Sequence, residues 1–205
     1  MKINMGRGPI HFMDNLVVYF ITAIYIGVMK INMGCGWRNF GKEWIHIDAG
    51  NYSHLDHNNI FKLPYEDESV DLIYASHLIE YVDKDYIEPL LLEWKRALKP
   101  SAKLRLAVPD FAKIAELYVN GHSLQYFIGP LYGRMKMGGD VIYHKTVYDF
   151  DRIKDLLESC GFSNVSRYDW RSTEHASFDD HSQAYLPHMD KENGTLISLN
   201  VECNK

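Results

Sequence analysis

From Met29 onward, short apolar runs alternate with helical stretches, an order that fits an α/β fold and few others. Lys30–Met33 reads as a first strand, cut off by Gly34-Cys35-Gly36. Trp44–Asp48 reads as a second strand ending in an acid, Asn59–Lys62 as a weak third and Val70–Ala75 as a fourth. Lys84–Lys99 carries Ile87, Leu90, Leu91, Trp94 and Leu98 on one face, an amphipathic helix stopped by Pro100. Lys103–Val108 is the fifth strand, followed by a helix over Phe111–Val119 and another over Asp149–Ser159 with Gly161 as its stop. Val165–Trp170 and Leu196–Cys203 are two last strands without a helix between them, which suggests an antiparallel pair closing a mainly parallel sheet. The expected architecture is a Rossmann-like, mainly parallel sheet with helices on both faces.

The organisation reads as one domain over 29–205, preceded by an apolar extension at 1–28. A Gly-rich stretch breaks the pattern and reads as a lid or insertion at about 121–147, and a polar, aromatic loop at about 170–193 separates the last two strands. In the extension, Met1-Lys-Ile-Asn-Met-Gly-Arg-Gly8 recurs as Met29-Lys-Ile-Asn-Met-Gly-Cys-Gly36. Between the copies lies Leu16–Val28, 13 uncharged residues, too few to span a bilayer unaided. Three readings of it stand: a helix packed on the domain, an upstream extension to a domain beginning near Met29, or a membrane anchor.

Charge and cysteine usage narrow the partners. A net charge of −5 supplies no basic face, so no nucleic acid partner is expected. Cys35, Cys160 and Cys203 are odd in number and far apart, which fits a reducing, cytoplasmic setting without a disulfide framework. His54-Leu-Asp-His57 and Asp179-Asp-His181 contain ligand types, but neither has the spacing of a zinc motif, and no metal is expected.

In an open parallel sheet, ligands lie beyond the carboxyl ends of the strands, where strand order reverses. The residues just past each strand are therefore the ones to weigh. After the first come two glycines able to turn sharply and let a ligand approach the backbone. After the second comes Asp48, whose carboxylate can accept two ribose hydroxyls. Leu63-Pro64-Tyr65 follows the third, Ser76 and His77 the fourth, and Pro109-Asp110 the fifth. A dinucleotide fits less well. Its fingerprint needs a third glycine where Asn39 stands, and an acid about 20 residues on, whereas Asp48 is 12 beyond Gly36.

Ile31-Asn-Met-Gly-Cys-Gly36, Ile45-His-Ile-Asp48, Leu63-Pro-Tyr-Glu-Asp-Glu-Ser-Val-Asp-Leu-Ile-Tyr74, Ser76-His-Leu-Ile-Glu80, Val108-Pro-Asp110 and Leu157-x-x-Cys-Gly-Phe162 resemble the class I S-adenosylmethionine-dependent methyltransferases, in particular a small group with a shortened first helix. The resemblance covers roughly Met29 to Lys205 and is more specific for the cofactor than for the acceptor. It implies S-adenosylmethionine as cofactor, with Gly34 and Gly36 cradling the methionine portion through their backbone, Asp48 on the ribose, Leu63 and Pro64 beside the adenine and His77 near the methionine end. Met33, Cys35, Ala49, Asn59 and Ser76 complete the cofactor-binding set. Three departures stand out: Asn32, Asn59 and Tyr81 occupy positions where the family often has two acids and a histidine.

Methyl transfer needs a general base only where the acceptor loses a proton. His77, Asp110 and His144 are the candidates, although Asp110 could simply cap the following helix and His77 could simply hydrogen-bond beside the cofactor. Asp180, His181, Gln183 and His188 are expected in the acceptor pocket. The acceptor is expected to be a small or sugar-like molecule. The alternatives are a catalytically silent cofactor-binding module or a protein methyltransferase, for which an acidic groove near Gly121–Gly139 would be expected.

Overall fold

The computed structural model describes residues 27–137 and 139–205. The first copy of the repeated octapeptide and nearly all of the apolar run at 16–28 lie outside them. Six strands form one sheet in the order β2-β1-β3-β4-β10-β7, with β1 at Lys30–Met33, β2 at Ile45–Ile47, β3 at Val70–Ser76, β4 at Leu98–Pro109, β7 at Ser163–Arg167 and β10 at Ser198–Asn204. The first four run parallel. β10 lies antiparallel to both β4 and β7, so the expected antiparallel pair forms and the final strand sits inside the sheet. Outside it are two small ribbons, β5 (Met135–Met137) with β6 (Asp140–Ile142) and β8 (Tyr185–Leu186) with β9 (Thr195–Leu196).

The side chains of β3 divide between two cores, in two-residue alternation from Leu72 onward, past a register shift between Val70 and Leu72. Val70, Ile73 and Ala75 join the main core, together with Leu90, Leu91 and Trp94 of helix α1 (Lys84–Ala97) and Ile153 and Leu157 of α4 (Phe150–Ser159). Leu72 and Tyr74 face the other way, onto Phe40, Trp44 and Phe178. Residues 37–43 hold no helix, so aromatic rings cover that part of the sheet, Phe40 stacking on Phe178 at 4.5 Å between centroids. Helix α2 (Phe111–Val119) builds a third cluster from Ile114, Leu117, Phe127, Leu186 and Ile197.

Three elements differ from the sequence reading. Asn59–Lys62 is not a strand: the Asn59 carboxamide accepts the amides of Phe61 and Lys62, which turns the chain, and the sheet ends at β2. Helix α1 stops at Ala97 rather than at the proline, because Leu98 is already extended and Lys99 is disfavoured in helix by Pro100. The segment 121–147 is structured, carrying the short helix α3 (Ile128–Tyr132) and the β5–β6 ribbon. Among the described residues no helix is long and apolar enough to cross a membrane.

Candidate functional site

Strand order reverses between β1 and β3, and the chain leaving both strands opens a crevice there. Past β1, Gly34 has φ +65° and donates its amide to the Ile47 carbonyl at 2.7 Å, tying the turn to β2. Gly36 has φ +56°, and no atom lies within 4 Å of where a Cβ would stand. Its amide donates to Asp48 Oδ2 at 2.8 Å, while Asp48 Oδ1 accepts the Gly50 amide at 2.6 Å. Asp48 thus holds the glycine turn open from the end of the neighbouring strand, with lone pairs to spare for a further donor.

At the end of β3, His77 takes a left-handed φ of +51°, a costly conformation for a residue with a side chain. Its amide donates to the Ala107 carbonyl at 2.8 Å. The ring stands 5.0 Å from that of His181, which belongs to the late loop. That loop is fastened from below: Tyr74 Oη donates to Asp180 Oδ2 at 2.6 Å, and Asp180 Oδ1 accepts the Ser182 amide at 2.8 Å. Arg38, just past the glycine turn, donates to the Asp179 carbonyl at 3.0 Å. Three distant segments are thereby held around one opening.

The opening is a cavity of about 1330 Å³. Pockets for single small ligands usually fall between about 300 and 1,000 Å³, so a second reactant has room. Gly34, Gly36, Asp48, Ala49, Ser76 and His77 line it, as do Asp180, His181, Gln183 and His188. The 121–147 segment closes it with Tyr126, Gly133, Met135, Met137 and His144, among others. Gly133 is required there, at φ +53°, because a Cβ would fall inside the His144 ring. That ring donates from Nδ1 to the Pro130 carbonyl at 3.0 Å and packs edge-on to Tyr81.

Six residues expected at the site, the exposed Pro64 among them, are not in its lining, and a seventh lines it with its polar atoms committed. Met33 is wholly buried in the main core, and Leu63 packs in that core. Asn59 is exposed and uses its side chain on its own turn. Asp110 caps α2 through the Lys113 amide at 3.2 Å and pairs with Arg167 at 3.3 Å. The Cys35 thiol is buried, 3.7 Å from His54 Nε2, and burial followed by the charge of Asp48 pushes it up to about 12. Gln183 lines the cavity but has its polar atoms committed, donating to Phe178 and accepting from Lys191.

Sequence reasoning missed the aromatic wall made by Trp37, Tyr52, Phe61 and Tyr86. Isolated aromatic residues in loops carry no periodic signal. It also gave no role to Glu80, a carboxyl 1% exposed beside His77 and His144. Burial raises the Glu80 carboxyl to about 8 and lowers both imidazoles, His77 well below the usual histidine value.

Residues 32–106 match a family described as a methyltransferase domain. Demethylmenaquinone methyltransferase of Staphylococcus haemolyticus (strain JCSC1435) is 28% identical over 127 residues, which take in 56% of this chain and 50% of that protein. The chain therefore spans about half the length of that curated relative. Among solved structures, a SAM-dependent methyltransferase from Methanosarcina mazei superposes with a TM-score of 0.55 at 16% identity, over 87% of this chain and 92% of that one. Another from Archaeoglobus fulgidus gives 0.52 at 14% identity, over 87% and 86%. The sheet order, the glycine turn and these likenesses agree on the fold.

Proposed function

We propose that this chain, a class I methyltransferase domain by its fold and its family match, transfers a methyl group from S-adenosylmethionine to a small-molecule acceptor. The observation that carries the reading is the pairing of Gly36 with Asp48 at the switch point, facing a cavity with room for two reactants. The residues fit the nucleoside donor. Open space stands where a Gly36 side chain would be, and Asp48 keeps acceptor capacity for ribose hydroxyls after its two amide bonds. Asn39 stands where the third glycine of a dinucleotide fingerprint would be, and residues 37–43 hold no helix, which disfavours a pyrophosphate.

When bound, S-adenosylmethionine supplies an electrophilic methyl group on a sulfonium. The glycine turn and Asp48 would hold it at the β1–β2 end of the cavity, with Ala49 beside Asp48 and with Ser76 and His77 at the end of β3. His181, His188 and the 121–147 segment line the remaining space and would take the acceptor. The chain's contribution is to align acceptor and methyl carbon and to keep water out, the proximity term of catalysis. A small acceptor is favoured by the roofed cavity, and the named relative is a demethylmenaquinone methyltransferase. The protein-acceptor alternative loses its expected acidic groove, since residues 121–139 contain Arg134 and Lys136 and no acid.

Calorimetry with S-adenosylmethionine, S-adenosylhomocysteine and NAD tests the donor. Binding of the first two without the third is expected, and the reverse overturns the reading. Release of S-adenosylhomocysteine with a panel of phenols, quinols and sugars then tests turnover. Binding without release on any acceptor would favour the silent module.

A further inference from the structure

The β5–β6 ribbon sorts its side chains by the two-residue period of a strand. Met135, Met137 and Ile142 line the cavity, whereas Lys136, Val141 and Tyr143 of the same ribbon and its exit do not. Leu186, Met189 and Ile197 line it as well. Leu186 and Ile197 are rooted in the third hydrophobic cluster, with Ile114, Leu117 and Phe127 behind them, so this wall is continuous with packed core. Within the lining, Tyr126, Met135 and Met189 are exposed apolar side chains. Apolar surface gathered in a concavity marks a groove for an apolar ligand. The polar side chains beyond the donor end are turned into the protein instead. Tyr81 Oη donates to the Gly133 carbonyl and His144 Nδ1 to the Pro130 carbonyl. Tyr185 Oη accepts from Arg171 at 2.9 Å. Asp179 and Gln183 both accept from Lys191, and Asp180 accepts from Tyr74 and Ser182. Arg134, Lys145 and His188 also border the cavity, but they are exposed and within reach of water.

We propose that this part of the cavity is a chamber for an apolar, aromatic acceptor of the phenol or quinol class, and that Met135, Met137 and Met189 select such a ring over a sugar. The inference rests on the methyl-transfer reading and names the acceptor within it. A sugar brings several hydroxyls. Each one set against methionine, leucine and isoleucine forfeits its hydrogen bonds to water and finds no partner, because the polar groups nearby are already bonded to the protein. An aromatic ring asks for no such partners. Thioether sulfur makes favourable contacts with ring edges, so three methionines suit a flat π-system better than they suit a polyol. Methionine is also unbranched and adapts its outline. The chamber therefore fixes the polarity of its occupant more tightly than its shape.

The test titrates naphthol and methyl glucoside by calorimetry into wild-type protein saturated with S-adenosylhomocysteine. Naphthol should bind at least about 10-fold more tightly than the glucoside, with the negative heat-capacity change that marks buried apolar surface. Met137→Gln is close in volume and sets an amide in the wall. Its naphthol affinity should fall by about 10-fold while its affinity for S-adenosylhomocysteine is kept, which also shows that the variant is folded. Should Met137→Gln lose the donor as well, Met135→Gln and the wild-type comparison decide. Glucoside binding as tight as that of naphthol, or naphthol affinity unchanged in both folded variants, would overturn the proposal. Wild type that ignores S-adenosylhomocysteine sinks the donor reading instead, and naphthol titrated into the protein alone still decides the chemistry of the chamber.

Discussion

The Asp48 carboxylate accepts the amide of Gly36 at 2.8 Å, so the acid expected to hold a ribose also holds the turn on which the donor would lie. Asp48→Ala removes both functions and strands the Gly36 and Gly50 amides. Donor affinity should weaken by about 1–3 kcal/mol, the usual cost of unpairing a buried polar group. Isothermal calorimetry with S-adenosylhomocysteine checks this. Unchanged affinity in a folded variant would remove Asp48 from the site.

The two glycines at the ends of the cavity should respond differently to the same change. Gly36→Ala meets open space, so its cost is left-handed strain of about 1–2 kcal/mol, and its main effect should be lost donor binding. Gly133→Ala puts a methyl group into the His144 ring and adds about 1–3 kcal/mol of overpacking to a similar strain. Thermal melts should rank Gly133→Ala well below Gly36→Ala. Equal melting temperatures would mean that His144 does not pack on Gly133.

Cys35 sits in the turn yet should be inert. Raised from 9.0 to about 12, the Cys35 thiol has its thiolate fraction cut roughly a thousandfold. Iodoacetamide at mildly alkaline pH, followed by peptide mass spectrometry, should leave Cys35 unmodified while the fold persists. Alkylation at the rate of an unfolded control would contradict its burial.

His175 is 1% exposed and its ring nitrogens have no partners among the described residues. Burial lowers it from 6.5 to about 4. The unfolded chain therefore binds a proton there that the folded chain refuses, and stability should fall as pH drops from 6.5 toward 4. The loss from this group is roughly 3 kcal/mol across that window. Urea unfolding at a series of pH values should show the slope in wild type and a shallower one in His175→Phe, where a ring of similar size keeps the contacts with Tyr74 and Phe40.

Much of the sheet was legible because strands and helices write their burial into period. The nearly continuous apolar run of Val70–Ser76 and the spacing of Ile87, Leu90, Leu91 and Trp94 needed no tertiary information. The glycine turn and Asp48 were legible for a related reason, being fixed by their place after a strand. Asn59–Lys62 misled because the apolar pair Ile60-Phe61 between polar residues resembles a short strand until the Asn59 side chain is seen capturing the backbone. The 121–147 segment misled because its helix and ribbon are too short to show a rhythm. Glu80 could not be assigned in advance. Its local sequence shows an ordinary acid after a strand, and its raised carboxyl comes from a burial that only the folded chain supplies.

The placement of β10 between β4 and β7 has a further consequence for how the molecule assembles. Among the described residues, strand β7 pairs with the sheet only through residues 198–204, which are synthesised after it. Until they emerge from the ribosome, β4 has an open edge and β7 has nowhere to dock, so the sheet must close late, through contacts of high sequence separation. Such an edge invites pairing with other nascent chains. Shortening the chain by its final eight residues should therefore yield aggregates in the cell rather than a slightly destabilised protein.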